Sequence, residues 1–267
     1  MKKINLEESK KIELDILSFV ADFCDKNGLK YFLAYGTLIG AIRHKGFIPW
    51  DDDIDIWMPR DDYNKLMYIF QNSETDYYKL ICPTDKNSYH PYVKVIDTRT
   101  IKLEESVKYK NGYLGIDIDI FPLDGQPSDD GDYTKWYYKL QRYYRLYPYL
   151  ILDPCKKIKH MISVSIKKII SGGKKHILKK TAQLHAKYPY NESNFVGCVE
   201  SCNNSEYNRY KKEWFEDVVE VEFENIVLKA PIGYDSILTK MYGNYMELPP
   251  KEKQITHHSN ENFWVEE

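Results

Sequence analysis

Two segments in which aspartate alternates with an apolar residue constrain the fold more than any other feature of this chain. Residues 53–58 read Asp-Ile-Asp-Ile-Trp-Met, and residues 116–121 read Ile-Asp-Ile-Asp-Ile-Phe. Because side chains alternate between the two faces of a β-strand, each segment predicts a strand with one apolar and one acidic face. Asp53 and Asp55 are then expected to be neighbours roughly 6–7 Å apart.

Pairing of these two predicted strands would bring carboxylates from both of them together. Close carboxylates repel one another, and a divalent cation relieves the repulsion because it prefers oxygen ligands. We therefore predict a site for Mg²⁺ or Mn²⁺, bound also to phosphate oxygens, with Asp53, Asp55 and Asp119 as metal ligands and catalytic residues. Asp52 and Asp117 are predicted to contact the substrate. The residues alone leave open a second interpretation, in which the acidic turn and strand are only solvated.

Residues 36–40, which read Gly-Thr-Leu-Ile-Gly, predict a phosphate-binding turn. They follow a predicted strand over 31–35 and open a predicted helix over 38–44, so backbone N–H groups and the helix dipole favour an anion there. Gly36 lets a ligand approach the backbone closely, and we predict that Gly36 and Thr37 both bind the phosphate groups of the substrate. For the basic residues that follow, a solvated helix end is the alternative. The other substrate-binding candidates share a basic or aromatic side chain near these motifs: Arg43, His44, Lys45, Trp50 and Lys94.

Hydrophobic periodicity predicts the elements around these motifs. An amphipathic helix is expected over residues 6–26, ended by Asn27-Gly28, and a second helix over 60–70. Lys94 lies in an otherwise apolar strand, which favours a charge partner or a ligand for it. The remaining predictions are two strands within 92–105 around a turn at 97–99, a strand over 113–121 closed by Pro122, mainly helical structure over 130–215, a hairpin over 218–228 that turns at 224–225, and a helix over 234–241.

This order of elements predicts an α+β fold, a mixed sheet core with a helical elaboration. We expect one domain over 1–267, with its core at about 6–128 and 215–258 and a helical, basic middle region at about 130–215. A net charge of −2 argues against a nucleic-acid partner, which requires excess lysine and arginine. The N-terminus lacks the apolar run of a signal peptide, so we expect a cytoplasmic protein, or one on the membrane surface facing the cytoplasm.

Five cysteines at irregular spacing argue against a disulfide framework and favour a reducing compartment. Cys198 and Cys202 are spaced as a lone pair of metal ligands, but ordinary buried thiols are the preferred interpretation. Residues 154–191 carry ten lysines and no acid, with isoleucines between them. This pattern predicts either a peripheral membrane contact or a solvated basic face packed on the core, and the sequence leaves both open.

Four blocks of the chain resemble the LicD family, the phosphocholine transferases of bacterial surface-glycan synthesis, which are related to fukutin and fukutin-related protein. The run from Tyr35 to Ile56, which contains Gly-Thr-Leu-Ile-Gly and Pro-Trp-Asp-Asp-Asp-Ile-Asp-Ile, is similar to the family signature. Three further runs of this chain are similar to other sequence blocks of that family. They are Tyr-Val-Lys-Val-Ile-Asp-Thr-Arg-Thr at 92–100, Ile-Asp-Ile-Phe-Pro-Leu-Asp-Gly at 118–125 and Tyr-Gly-Asn-Tyr-Met-Glu-Leu-Pro-Pro at 242–250, the last followed by His257 and His258.

The resemblance implies a nucleotidyltransferase-like core and a CDP-activated alcohol as donor, with CDP-choline favoured. The phospho-alcohol would be transferred to a hydroxyl of a glycan or a lipid-linked glycan, with release of CMP. Asp53 and Asp55 match the family's metal-binding pair, and Asp119 matches its third acid. Two alternatives stay open: a nucleotidyltransferase that releases pyrophosphate, and an inactive relative that serves as a scaffold.

Overall fold

The computed structural model describes most of the chain and shows helices and strands interspersed along it. The described residues are 1–86, 88, 90–104, 114–147, 166, 169, 172–200, 209–256 and 260–265. The helices are α1 (Leu6–Lys26), α2 (Tyr35–Ile39, continued by a π-helical turn over Gly40–His44), α3 (Arg60–Gln71), α4 (Asp130–Tyr144), α5 (Lys174–His185) and α6 (Tyr234–Tyr242). Short 3-10 turns lie at Tyr190–Glu192, Lys212–Phe215 and Lys251–Lys253.

The strands form a large mixed sheet, a three-stranded sheet and a hairpin. The strands are β1 (Lys3–Ile4), β2 (Phe32–Leu33), β3 (Asp55–Pro59), β4 (Tyr78–Ile81), β5 (Val93–Asp97), β6 (Thr100–Glu104), β7 (Asp117–Gln126), β8 (Phe195–Gly197), β9 (Tyr210–Lys211), β10 (Val218–Phe223), β11 (Ile226–Pro231) and β12 (Asn260–Trp264). The large sheet has the order β2-β3-β7-β5-β4, and β8 and β9 extend it from β7. Only β3 and β7 run parallel in it, among the described pairs. This mixture of helices and a mixed sheet confirms the α+β class.

Helix α1 forms where the sequence predicts it, because its caps and its apolar stripe agree. The side chain of Asn5 caps the first turn by accepting from the N–H of Glu8 at 2.9 Å. Asn27 and Gly28 end the helix, and Gly28 adopts a positive φ of 63° that glycine tolerates. One face of α1, which includes Ile16 and Val20, is fully buried in the main core. Burial of this stripe holds α1 against the sheet.

The prediction that Pro122 closes its strand is wrong, because β7 continues to Gln126. Along β7 the N–H groups alternate between neighbours, and the N–H of Asp119 donates to Ile54 on the β3 side. The N–H that Pro122 lacks would face the other side. On that side β5 pairs only as far as Ile120, and β8 begins to pair at Asp124. Proline therefore falls in a gap where no ladder hydrogen bond is lost.

Other elements differ from the sequence prediction by a few residues or by type. β2 covers only Phe32–Leu33 of the strand expected over 31–35, and β3 begins at Asp55 instead of Asp53. The region expected to be mainly helical, 130–215, contains α4 and α5 but also β8 and β9. These strands have three and two residues, and strands this short show no alternation that a sequence pattern could reveal. The hairpin of β10 and β11, which turns at 224–225, is confirmed.

The described residues also bear on the cysteines and the basic segment. Cys24, Cys82 and Cys198 are buried free thiols, whereas Cys155 and Cys202 lie outside the described residues. Most of the first half of the lysine-rich segment 154–191 lies outside them as well, as do His257 and His258. No helix within the described part of the chain is both long enough and apolar enough to cross a membrane.

Candidate active site

The two acidic strands pair, as the sequence predicts, and they align their carboxylates with a buried lysine. β3 and β7 run parallel with Asp55 opposite Asp119. β5 runs antiparallel to β7 with Lys94 opposite Asp119. Directly opposed residues on neighbouring strands point to the same face of a sheet. Asp55, Asp119 and Lys94 thus form one row across three strands, which we call the acid row.

Three consecutive aspartates just before β3 lie beside the acid row. The carboxylate oxygens of Asp51, Asp52 and Asp53 lie within 4.8 Å of one another, close enough to share one ion. All three side chains are only partly exposed. Burial, followed by the charge of Asp53, raises the pKa of Asp55 well above its usual range. The structure therefore brings together the three predicted ligands, Asp53, Asp55 and Asp119, and adds Asp51.

Burial and neighbouring negative charge raise the pKa values of these carboxylates. Burial and the charge of Asp53 raise the pKa of Asp51 to about 7. Burial raises the pKa of Asp119 to about 6, although the ammonium group of Lys94 acts in the opposite direction. A divalent cation would offset the negative charge of the carboxylates. The donor set consists of carboxylate oxygens, which Mg²⁺ and Mn²⁺ prefer, so the residues present fit such an ion.

Asp117 and two lysines form a buried chain of ion pairs that ends at Asp119. The ammonium group of Lys94 contacts the carboxylates of both Asp117 and Asp119. Lys102 Nζ donates to Asp117 Oδ1 at 2.7 Å. Although burial acts in the opposite direction, the ammonium groups of Lys102 and Lys94 hold the pKa of Asp117 well below its usual range. The charge partner expected for Lys94 is confirmed, while substrate contact by Lys94 or Asp117 stays a prediction.

Gly36 and Thr37 support the acid row from the first turn of α2. The backbone N–H of Asp55 donates to Thr37 Oγ1 at 2.8 Å, which anchors the start of β3. A Cβ atom at Gly36 would lie 2.5 Å from Asp51 Oδ2, so glycine is what allows the helix and the aspartates to approach this closely. The two residues lie inside the helix instead of in a turn before it. Phosphate binding by them stays a prediction.

The structure shows protein contacts for the basic residues after α2. Arg43 Nη1 donates to the carbonyl oxygen of Tyr245 at 2.6 Å, and Arg43 Nε donates to His44 Nε2 at 2.8 Å. The His44 ring packs edge-on against Trp50, with 6.3 Å between ring centroids. Lys45 ends the π-helical turn with a positive φ of 62°. Arg43 thus ties this turn to the C-terminal block, and the substrate roles of these four residues stay predictions.

Sequence reasoning did not assign Tyr92 to the site, but its ring borders the acid row. Burial, followed by the charge of Asp119, raises the pKa of Tyr92 well above its usual range. Its ring packs on Phe121 with 4.3 Å between centroids, and Phe121 packs on Tyr35 with 5.5 Å between centroids. The sequence spacing could have placed an aromatic ring at the site, because Phe121 follows Asp119 by two residues and must share its face of β7. An aromatic surface therefore adjoins the carboxylates.

A second charge cluster, which sequence analysis missed, lies near the other end of β7. Asp124, His185 and Glu200 place their ligand atoms close enough to share an ion. Arg60, however, donates to both oxygens of Asp124 at 2.6 and 2.5 Å and reaches Glu200 at 3.1 Å. The guanidinium group already pairs with both carboxylates, so this cluster demands a cation less than the acid row does. Its members are far apart in sequence and form no local motif.

Comparisons with known proteins identify the family of this chain. A family model described as LicD/FKTN/FKRP, nucleotidyltransferase domain, matches residues 28–164, which contain the whole acid row. The lipopolysaccharide cholinephosphotransferase LicD of Haemophilus influenzae is 34% identical over 272 residues, which cover 98% of this chain and 99% of that protein. The uncharacterized protein RP689 of Rickettsia prowazekii is 36% identical over 75 residues, 28% of each chain. The chain belongs to the LicD family.

Proposed function

We propose that this protein transfers phosphocholine from CDP-choline to a hydroxyl of a cell-surface glycan or its lipid-linked precursor and releases CMP. Similarity along nearly the whole chain to a lipopolysaccharide cholinephosphotransferase supports an enzyme of this class, with a glycan as acceptor. The observation that carries the proposal is the acid row itself, in which Asp55 and Asp119 are aligned with Lys94, and Asp53 stands beside them. Such a row suits the binding of a metal-bound diphosphate.

Mg²⁺ or Mn²⁺ would be held by Asp53, Asp55 and Asp119, and when bound it would offset negative charge on the diphosphate and on the departing CMP. Lys94 adds a buried ammonium group at the edge of this site, where it favours phosphate oxygens. The rings of Tyr35, Phe121 and Tyr92 pack beside the row. Choline as the carried alcohol is supported by the similarity to a lipopolysaccharide cholinephosphotransferase.

The proposed reaction requires one proton acceptor. The oxygen of the sugar hydroxyl forms a bond to the phosphorus that carries choline, and the bond from that phosphorus to the bridging oxygen breaks. CMP leaves with the bridging oxygen, and the hydroxyl proton passes to Asp119. Asp119 lies in the acid row opposite Lys94, and a carboxylate within hydrogen-bond reach of the attacking hydroxyl can act as its general base.

Release of CMP from a panel of CDP-alcohols tests this function. Purified protein is incubated with phosphocholine-free lipopolysaccharide as acceptor and with CDP-choline, CDP-ethanolamine, CDP-ribitol or CDP-glycerol, in Mg²⁺ or in EDTA, and the nucleotide products are separated by chromatography. We expect Mg²⁺-dependent release of CMP, fastest from CDP-choline. Asp55→Asn should lose about 100-fold or more of the rate, because several kcal/mol of charge stabilisation are removed.

The matched control is Asp76→Asn, which neutralises an exposed aspartate. Circular dichroism of both variants verifies that the fold is intact. Nucleotide transfer with release of pyrophosphate would identify a nucleotidyltransferase instead. If no cytidine nucleotide is consumed under any condition, the phosphocholine transferase proposal fails.

A further inference from the structure

A polar cavity of about 210 Å³ adjoins the acid site, and the proposed chemistry does not use it. Its walls come from the start of α1, from β6, from the C-terminal region around β12, and from the segment before β3. Asp52 belongs both to the aspartate cluster and to the cavity wall. A ligand in this cavity would therefore lie next to the place where the donor's diphosphate is proposed to bind.

Two buried oxygen atoms in the cavity wall have no hydrogen-bond partner within the described part of the chain. They are Glu13 Oε2 and Asn262 Oδ1. Glu13 is only 2% exposed, and burial raises the pKa of its carboxyl group well above the usual range, so the group can both donate and accept a hydrogen bond. Asn262 Nδ2 donates to Ser9 Oγ at 3.0 Å. Buried polar atoms without a partner are rare and unfavourable, so these two indicate a ligand with hydrogen-bonding groups.

The same cavity also contains a hydrogen-bond donor. Lys102 lines it and uses one of its three N–H donors on Asp117, at 2.7 Å. The ammonium group would repel a metal ion. None of the described residues that line the cavity is aromatic, so a quaternary ammonium group finds no ring there. Acceptors together with a donor match hydroxyl groups, because each hydroxyl both donates and accepts.

The volume is consistent with a ligand the size of a sugar ring. At about 30 Å³ per water molecule, 210 Å³ corresponds to about seven waters, far more than one structural water requires. We propose that this cavity is the acceptor subsite and binds one sugar ring of the glycan, with Glu13 and Asn262 hydrogen-bonded to its hydroxyls and Lys102 donating to one of them. The assignment of a glycan as ligand rests on the proposed function.

Binding of an acceptor oligosaccharide in the absence of donor tests the subsite. The probe is the oligosaccharide of phosphocholine-free lipopolysaccharide from the organism that carries the protein, and its Kd is measured by saturation-transfer NMR. Glu13→Leu and Asn262→Leu each remove one hydrogen-bonding side chain from the cavity wall and should each raise the Kd about tenfold or more. Glu13→Gln keeps an acceptor oxygen and should raise it less. Asp15→Asn, an exposed change on the same helix, should leave the Kd unchanged.

A Mg²⁺-dependent thermal shift with CDP-choline reports whether the donor site of each variant is folded. If Glu13→Leu does not fold, the subsite is judged from the Kd values of Asn262→Leu, which lies in β12, and of Glu13→Gln. Unchanged Kd values in the variants would overturn the subsite. Loss of both the donor-induced thermal shift and oligosaccharide binding in the variants would overturn it as well. A wild-type protein that releases CMP but does not bind the oligosaccharide would also overturn it. A third outcome separates the two proposals. If the wild type binds the oligosaccharide but releases no CMP, and the Leu variants lose that binding, the subsite stands and the proposed function is refuted.

Discussion

Replacing Asp51 by asparagine should stabilise the metal-free protein. In the folded state, burial and the charge of Asp53 raise the pKa of Asp51 to about 7. In the unfolded chain an aspartate titrates near about 3.9. The folded state therefore binds more protons, and ionisation of Asp51 destabilises it. This destabilisation grows as the pH rises from about 4 to about 7 and is constant above that range.

The magnitude follows from the shift. A difference of about 3 pKa units, at about 1.4 kcal/mol per unit, sets an upper limit of about 4 kcal/mol for the destabilisation at neutral pH. The side chain of Asp51 is partly exposed, so solvent screens part of the effect. We therefore expect Asp51→Asn to raise the free energy of unfolding by about 1–2 kcal/mol. Asparagine keeps an acceptor oxygen of similar size at this position.

Urea unfolding in EDTA at a series of pH values measures this effect, with Asp76→Asn as the exposed control. Wild type and Asp51→Asn should be equally stable near about pH 4 and should diverge up to about pH 7. Added Mg²⁺ should narrow the gap, because the ion compensates the carboxylates that remain. If Asp51→Asn is no more stable than wild type at any pH in EDTA, repulsion among these carboxylates does not destabilise the metal-free protein, and the expected effect of Asp51 is wrong.

Three further changes test separate parts of the structure. Gly36→Ala places a Cβ 2.5 Å from Asp51 Oδ2 and should weaken Mg²⁺ binding about tenfold in calorimetric titration while the fold persists. Lys94→Met leaves the carboxylates on either side of it without their shared cation, and should cost about 3 kcal/mol of stability in EDTA and less in Mg²⁺, measured by urea unfolding. Arg60→Met leaves the buried carboxylate of Asp124 without its ion-pair partner and should lower the free energy of unfolding by about 3–5 kcal/mol. The folded variant should nevertheless keep the Mg²⁺-dependent thermal shift with CDP-choline.

Local patterns predicted those parts of the fold in which short-range and long-range preferences agree. Helix α1 has its caps and its apolar stripe in one continuous segment. The acidic strands alternate strictly, and this alternation was sufficient to predict that Asp55 and Asp119 share a face. Their direct opposition in a parallel pair is a property of the whole sheet. No single segment contains that information.

The remaining features depend on partners that are distant in sequence. Pro122 was predicted to end its strand because proline lacks an N–H, but the gap between β5 and β8 makes that N–H unnecessary. The cluster of Arg60, Asp124 and Glu200 joins positions up to 140 residues apart. Glu13 was similarly hidden, because a glutamate in an amphipathic helix is normally solvated. Only the assembled structure shows that it is buried.

Identification of the transfer product tests the central claim most directly. Wild-type protein is incubated with CDP-choline, Mg²⁺ and phosphocholine-free lipopolysaccharide, and the oligosaccharide is analysed by mass spectrometry beside a reaction with Asp55→Asn. We expect wild type to add the mass of one phosphocholine to the oligosaccharide and to release an equal amount of CMP, and we expect the folded variant to do neither. An unmodified oligosaccharide with wild type, or equal modification by Asp55→Asn, would contradict the assignment of the acid row as the catalytic centre of a phosphocholine transferase.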